Sequence, residues 1–223
     1  SLYIDSALAK VEFENNGINY TREYFVSYPD SVIVCKFSAN QKEKQNLRLV
    51  FRPNPESYIE IKPIEKNEVL FCGRLKDNEM SFALRIRVEA NNGEVEINEK
   101  GEISVKGSDE VVFLLAGDTD YFMNFTPDFS DCNTYVGINP FETTKKTFER
   151  IKTLNYQDLK QRHLDDYCNL FNRVELNLNP NESFEDLPTD KRLERYRNGK
   201  ADYGLEELYF QFGRYLLIAS SRK

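Results

Sequence analysis

The most constraining feature of this sequence is its last stretch, residues 202–223, which reads DYGLEELYFQFGRYLLIASSRK. Apolar residues recur there at spacings of three and four, which predicts a helix that begins after Asp202. The residues on this stripe are Leu205, Leu208, Tyr209, Phe212, Leu216 and Ala219. Because Phe210, Leu217 and Ile218 lie off the stripe, the helix is apolar nearly all round and needs other elements on most of its sides. We therefore expect the chain to be a piece of a larger protein in which a helical domain begins here.

Composition narrows the class of protein. With 223 residues, 40% of them hydrophobic, the chain can bury a sizeable core. Its net charge of −7 gives no basic field for a nucleic-acid backbone, and no apolar run reaches the roughly 18 residues of a membrane span. The cysteines, which form no C-x-x-C pair, are Cys35, Cys72, Cys132 and Cys168. We expect neither nucleic-acid nor membrane partners, and neither a metal nor a cofactor.

Up to about Asp120 the sequence predicts one short strand after another. Asn16-Gly17 supplies the positive-φ residues of a tight hairpin turn, and Asn91-Asn92-Gly93 predicts a turn that leads into Val95-Glu96-Ile97. The clearest strand is Ser81–Ala90, in which alternation predicts that Phe82, Leu84, Ile86 and Val88 point inward while Arg85, Arg87 and Glu89 point to water. Short strands separated by turn residues indicate an antiparallel β-sandwich over residues 1–120.

Helical patterns follow the strands. Residues 121–139 show neither helical nor strand periodicity and predict a loop, and residues 142–154 then predict a helix. Asn155 and Thr189 are the predicted N-caps of the next two helices, the second ending at Gly199. Between those two helices, residues 173–178 predict a brief strand and residues 179–186 a polar loop. We therefore predict a mainly β fold with α-helices: a sandwich, a loop and helical linker over residues 121–200, and a final helix over residues 201–223.

The residues that could carry chemistry favour structural roles. His163 is the only histidine, and it could act as a general base held by Asp166 or, as we favour, as a structural histidine. Acidic pairs such as Asp165-Asp166 lie on solvated helix faces, whereas glycoside hydrolysis needs two carboxyl groups held apart across a sugar. The cluster Asp118, Asp120, Asp128 and Asp131 lacks the register of a calcium loop.

Arg214 lies in the middle of the apolar final helix, where an unpaired guanidinium would be costly. It could pair with a carboxylate, which we favour, or face a polar cavity. We predict no catalytic, cofactor-binding or metal-binding residue within the chain.

Two groups of motifs resemble a known family. Near the N-terminus these are Ile4-Asp5, Ala7, Val11, Gly17, Tyr20-Thr21-Arg22-Glu23, Phe25, Ser27, Pro29-Asp30 and Val32–Val34. Towards the other end they are His163, Asp166-Tyr167, Leu170-Phe171, Arg173-Val174, Leu176, Leu178, Pro188–Leu193 and Leu208–Arg222. In order and spacing they resemble glycoside hydrolase family 95, the inverting α-L-fucosidases.

The resemblance implies one half of an N-terminal super-sandwich, a helical linker and the first helix of an (α/α)6 catalytic barrel over residues 201–223. It also implies that the sandwich over residues 1–120 is incomplete at its N-terminus. In that family the catalytic acid, the base-side Asp and the water-positioning Asn residues follow this helix, so the resemblance implies that the chain alone is inactive. The parent would remove terminal α-linked L-fucose, or L-galactose, from oligosaccharides with inversion. Its oligosaccharide substrate would bind in a barrel that this sequence does not contain. We leave the cellular compartment open, with an extracytoplasmic parent as one hypothesis.

Other functions stay open beside this one. The chain could be a free-standing carbohydrate-binding or interaction sandwich, or part of a related (α/α)6 enzyme such as a disaccharide phosphorylase. Homo-oligomerisation through the exposed face of the last helix is a further expectation.

Overall fold

The computed structural model describes residues 1–178 and 186–222, within which eleven strands and four helices form. The strands are β1 Leu2–Tyr3, β2 Leu8–Asn15, β3 Ile18–Ser27, β4 Val32–Ala39, β5 Gln45–Leu49, β6 Ser57–Glu65, β7 Glu68–Leu75, β8 Ser81–Asn91, β9 Glu94–Ile97, β10 Ile103–Ser108 and β11 Glu110–Thr119. The helices are α1 Pro140–Arg150, α2 Tyr156–Phe171, α3 Thr189–Arg197 and α4 Tyr203–Ser220. Apart from Asp186, the predicted polar loop over residues 179–186 lies outside the described residues.

The chain divides into two compact units. The first comprises Ser1 and Ala9–His163, and the second comprises Leu2–Leu8 and Leu164–Lys223. The predicted division into residues 1–120, 121–200 and 201–223 stays a prediction.

The first unit contains an antiparallel sandwich, as predicted. Seven of its strands lie side by side in the order β2-β3-β4-β11-β8-β7-β6, and a second sheet has the order β5-β10-β9. Buried side chains from both sheets form one core, which consists of Val69, Phe71, Ile86, Val88, Ile103, Val105, Val111 and Phe113. Burial of this apolar surface between two sheets is the main stabilising contribution.

Both turns that the sequence predicts are present, but only the first is a hairpin. At the first, Asn16 has φ 52° and Gly17 φ 73°, and at the second Asn92 has φ 57° and Gly93 φ 80°. Positive φ at both central residues gives a turn whose twist matches that of the strands. The first turn joins β2 to β3, and the second joins β8 to β9, which belong to different sheets.

Helix α1 packs against β8 and β11, and this contact corrects the prediction that Arg85 and Arg87 point to water. The side chain of Arg85 is only 5% exposed and that of Arg87 17%. The guanidinium carbon of Arg87 lies 4.8 Å from the centre of the Phe148 ring on α1. Alternation along β8 separates the two faces correctly, but it does not show that a later helix covers the second one.

The starts of the helices agree with the sequence in two cases and differ in a third. The Asn155 carboxamide oxygen accepts hydrogen bonds from the first amides of α2, and Asp202 accepts one from the Leu205 amide at 2.8 Å, as predicted. Thr189 was the wrong N-cap, because it is the first helical residue of α3 and Pro188 occupies the cap position without a side-chain hydrogen bond.

The segment at residues 173–178 is not a strand, which corrects that prediction. The amide of Leu178 at its end donates to the Glu207 carboxylate instead of to a neighbouring strand. Alternation of apolar and polar residues therefore indicated a strand, although the Leu178 amide bonds to a side chain and not to another strand. Residues 121–139 form the predicted loop, apart from a single bridge between Tyr121 and Val136.

Candidate functional site

His163 is a buried packing residue of α2. It is 3% exposed, and its ring stacks on Phe25 of β3 with the ring centres 5.0 Å apart and an angle of 28° between the planes. The Asp166 carboxylate, which was the predicted partner of a general base, pairs with Arg222 at 2.7 Å. This geometry supports the structural role that the sequence favoured.

One helical turn before His163, α2 holds a charged network with the sheet. The Tyr156 hydroxyl donates to one oxygen of Glu23 at 2.7 Å, and the Lys160 ammonium donates to the other at 2.9 Å. Burial acts to raise the pKa of Glu23, but the hydrogen bonds from Tyr156 and Lys160, with the charges of Lys160 and Lys36, lower it below its usual range. Burial and the bond to Glu23 raise the pKa of Tyr156, so this hydroxyl stays protonated and is a donor, not a base.

Asp30 is the centre of a second network. It is fully buried, and its carboxylate accepts hydrogen bonds from the Ser27 hydroxyl at 2.7 Å and from Nε of Arg162 at 2.9 Å. The Arg150 guanidinium donates to the Asp30 backbone carbonyl at 2.7 Å. Both α1 and α2 are thereby bonded to the turn between β3 and β4. Ser27 and Asp30 belong to the N-terminal motif, and the structure gives them an anchoring role.

The four aspartates considered for calcium each accept hydrogen bonds from the protein instead. Asp118 accepts from the Thr119 amide, Asp120 from the Ser81 amide, and Asp131 from the Asn133 amide. Asp128 accepts hydrogen bonds from the backbone amide and the hydroxyl of Ser130. Within residues 1–178 and 186–222 no group of three His, Cys, Asp or Glu side chains could hold a metal ion.

Three cavities of about 410, 300 and 290 Å³ lie in the first unit. The largest lies beside α1 and β11 and contains one carboxylate, that of Asp118, together with Lys146 and Arg150. The other two contain no carboxylate among their lining residues in the described part of the chain. Because hydrolysis of a glycoside requires two carboxyl groups across the sugar, none of these three cavities has the groups for it.

Arg214 differs from its favoured prediction, since carbonyl groups and not a carboxylate bind it. Its guanidinium donates to the carbonyls of Phe171 at 2.6 Å and Val174 at 2.8 Å, and to the Gln211 side chain at 2.7 Å. It also lies over the Phe171 ring at 4.7 Å. A cation at the C-terminus of α2 is stabilised by the negative end of the helix dipole. Arg214 is therefore a structural residue of the second unit.

The apolar surface of α4 is largely exposed, although its N-terminus is well fixed. Asp202 accepts two hydrogen bonds from Arg192 at 3.0 and 2.7 Å, and both residues are buried. Leu205 is the one buried apolar residue of α4 among those described. The exposed ones include Tyr209 at 80% and Leu217 at 64%. No helix in the described residues is long and apolar enough to cross a membrane.

Comparison with protein-family models now assigns both units. Residues 1–124 match the glycosyl hydrolase family 65 N-terminal domain. The chain belongs to the family defined by this N-terminal domain. Residues 155–223, which contain α2 to α4, match the glycosyl hydrolase family 95 catalytic domain and confirm the resemblance of the motifs to that family.

Curated relatives extend these matches over the whole chain. The chain is 30% identical to Alpha-L-fucosidase 2 of Arabidopsis thaliana, over 99% of this chain and 28% of that protein. It is 27% identical to Probable alpha-fucosidase A of Aspergillus niger, over 100% of this chain and 28% of that protein. Among solved structures it is similar to a putative kojibiose phosphorylase from human microbiome, with 10% identity, a TM-score of 0.48, and coverage of 76% of this chain and 24% of that one. The chain thus spans about 28% of the length of these two curated relatives.

Proposed function

We propose that this chain is the non-catalytic sandwich and linker portion of an α-L-fucosidase-like glycoside hydrolase. The parent removes terminal α-linked L-fucose, or L-galactose, from oligosaccharides with inversion of the anomeric carbon. The observation that carries the proposal is the junction of two family matches in one chain: a sandwich domain followed by helices of a catalytic domain. The names of the curated relatives supply the sugar.

The contacts of the described residues favour a structural role for this chain and not a catalytic one. An inverting hydrolase needs a general acid and a general base carboxylate about 6.5–9.5 Å apart, with room for a water molecule between the base and the sugar. The buried carboxylates described above are each bonded to arginine or lysine, as Asp30 is to Arg162 and Asp202 to Arg192. The hydrogen bond from Arg192 lowers the pKa of Asp202 below its usual range, so this carboxylate stays ionised and is not a proton donor at neutral pH. We assign the catalytic carboxylates to the barrel of the parent, where this chain supplies α4 as a first helix.

Fucosyllactose hydrolysis tests the proposal. The full-length parent protein is expected to release L-fucose, while the 223-residue chain at the same concentration is expected to release none. Proton NMR during the first minutes is expected to show the β-anomer first, because inversion converts an α-linkage into a β-product. Appearance of the α-anomer first would contradict inversion, and hydrolysis by the 223-residue chain would contradict its non-catalytic role. Sugar phosphate formed only in the presence of inorganic phosphate would assign the parent to the phosphorylases instead.

A further inference from the structure

A cavity of about 290 Å³ lies at the β2–β3 hairpin and the first residues of β5. Its walls include Phe13, Tyr20, Arg22 and Lys44. Two cations therefore line this cavity, and among its described lining residues there is no carboxylate. This is unusual for a chain that carries 37 acidic residues and a net charge of −7. The local charge of the cavity is opposite to that of the chain as a whole.

Arg22 is held in place by aromatic rings. Its guanidinium carbon lies 4.8 Å from the centre of the Phe13 ring and 5.7 Å from that of Phe37. Tyr20 stacks on Phe13 with the ring centres 5.1 Å apart. No carboxylate pairs with Arg22 in residues 1–178 or 186–222. Contacts with ring faces fix the guanidinium position while leaving its in-plane N–H groups to bind an anion.

Two amide side chains, those of Gln45 and Asn46, also line the cavity. Gln45 is 3% exposed, and its enclosed Nε2 has no hydrogen-bond partner among the described residues. Because an unsatisfied buried donor costs about 1–3 kcal/mol, rotation of this side chain towards a bound ligand would be favourable. The Asn46 side-chain oxygen already accepts a bond from the Gly107 amide at 3.1 Å. Its side-chain NH₂ group is then the part that can bind a ligand.

We propose that this cavity binds a small acidic saccharide, meaning a sugar ring that carries a carboxylate or sulfate. The anion pairs with Arg22 and with Lys44, because a guanidinium matches the geometry of a carboxylate. The Asn46 side-chain NH₂ donates to a sugar oxygen, and the Tyr20 side chain forms an apolar wall. The cavity volume of about 290 Å³ is at the lower end for ligand sites, which favours a small ligand. This site binds and does not hydrolyse, so it stands apart from the fucosidase proposal.

Calorimetry of the 223-residue chain with three probes tests the proposal: the galacturonic acid dimer, the neutral galactose dimer and sodium acetate. The acidic dimer is expected to bind at least about tenfold more tightly than the neutral dimer, because a charge-assisted hydrogen bond contributes more than a neutral one. It is also expected to bind more tightly than acetate, which lacks the ring. Equal binding of both dimers would overturn the role of the anion. Acetate binding as tightly as the acidic dimer would overturn the role of the sugar.

Two variants and one control locate the site. Arg22→Gln and Lys44→Gln are each expected to weaken binding of the acidic dimer by about tenfold, whereas Lys100→Gln, in a turn outside the cavity, is expected to bind like the parent chain. Lys44 lies in an exposed loop, so its variant keeps the fold even where loss of Arg22 loosens the packing of Phe13. Circular dichroism verifies the fold of each variant. Binding unchanged in folded Lys44→Gln and Arg22→Gln proteins would overturn the proposal.

Discussion

Glu68→Gln tests how strongly the helix-covered face of the sandwich depends on one carboxylate. Glu68 is 3% exposed and accepts bonds from Arg85 at 2.6 Å and from Arg87 at 2.9 and 2.7 Å. Glutamine keeps the shape of the side chain but removes its charge, leaving two guanidinium groups in a site that α1 shields from water. Removing one partner of a buried ion pair typically costs about 3–5 kcal/mol, and we expect a loss in this range.

Urea unfolding followed by circular dichroism measures this loss. With a denaturant slope of about 2 kcal/mol per molar, a loss of about 3–5 kcal/mol lowers the unfolding midpoint by about 1.5–2.5 M. The matched control is Glu60→Gln on the neighbouring strand β6, where Glu60 pairs with Lys62 in an exposed position. Because exposed ion pairs contribute little, the control is expected to keep the midpoint of the parent chain.

A triple substitution distinguishes loss of pairing from loss of packing. Glu68→Leu combined with Arg85→Met and Arg87→Met replaces the whole charged cluster by apolar side chains of similar size. Replacement of a complete buried cluster is often neutral, so the triple variant is expected to unfold at a higher urea concentration than Glu68→Gln. If Glu68→Gln shifts the midpoint no more than Glu60→Gln does, the two guanidinium groups reach water without the carboxylate and our account of this face is wrong.

Three shorter predictions concern other positions. The pKa of Glu23 is lowered in the folded state. Its contribution to stability is therefore present above the unfolded carboxyl pKa and is lost as the pH falls through the folded pKa. Glu23→Gln is expected to flatten the decline in the urea midpoint between pH 7 and pH 3. Gly101→Ala is expected to lower the thermal midpoint more than Gly17→Ala, since both glycines have positive φ but only at Gly101 would the new methyl group lie 2.6 Å from the Phe71 ring; equal losses would show that the ring moves aside at no cost. Arg214→Met is expected to speed amide hydrogen exchange in the last turn of α2 roughly tenfold, corresponding to about 1.4 kcal/mol, and an unchanged rate there would show that the guanidinium does not stabilise that turn.

The sandwich could be predicted because its signals are local. Alternation identifies strands such as Ser81–Ala90, and Asn16-Gly17 identifies a hairpin. Both signals lie within a short stretch of consecutive residues. The burial of Arg85 and Arg87 could not be predicted in this way. It depends on α1, more than fifty positions later in the chain, and on a carboxylate from a neighbouring strand. The one available signal was Glu68 itself, an acidic residue that precedes the apolar run Val69-Leu70-Phe71.

The motif residues were easier to recognise than to interpret. Ser27 and Asp30 match the family pattern, but their role as an anchor for Arg162 follows only from the position of α2. His163 shows the same limit, because a histidine beside an acidic residue fits a general base as well as it fits a ring stacked on Phe25. Residue type specifies what a side chain can do, and burial with its partners decides which of these it does.

The final helix shows how polar contacts can fix an element before its apolar surface is covered. Asp202 caps α4 and binds Arg192, Arg214 binds the end of α2, and Arg222 pairs with Asp166 at 2.7 Å. These bonds hold its start, middle and end, yet Tyr209 remains 80% exposed. Periodicity predicted that other elements would cover most faces of this helix. Hydrogen bonds, and not such coverage, position it in the second unit. A helix held in this way keeps its apolar side chains available for further packing, as our proposal that it is the first helix of the parent's catalytic barrel requires.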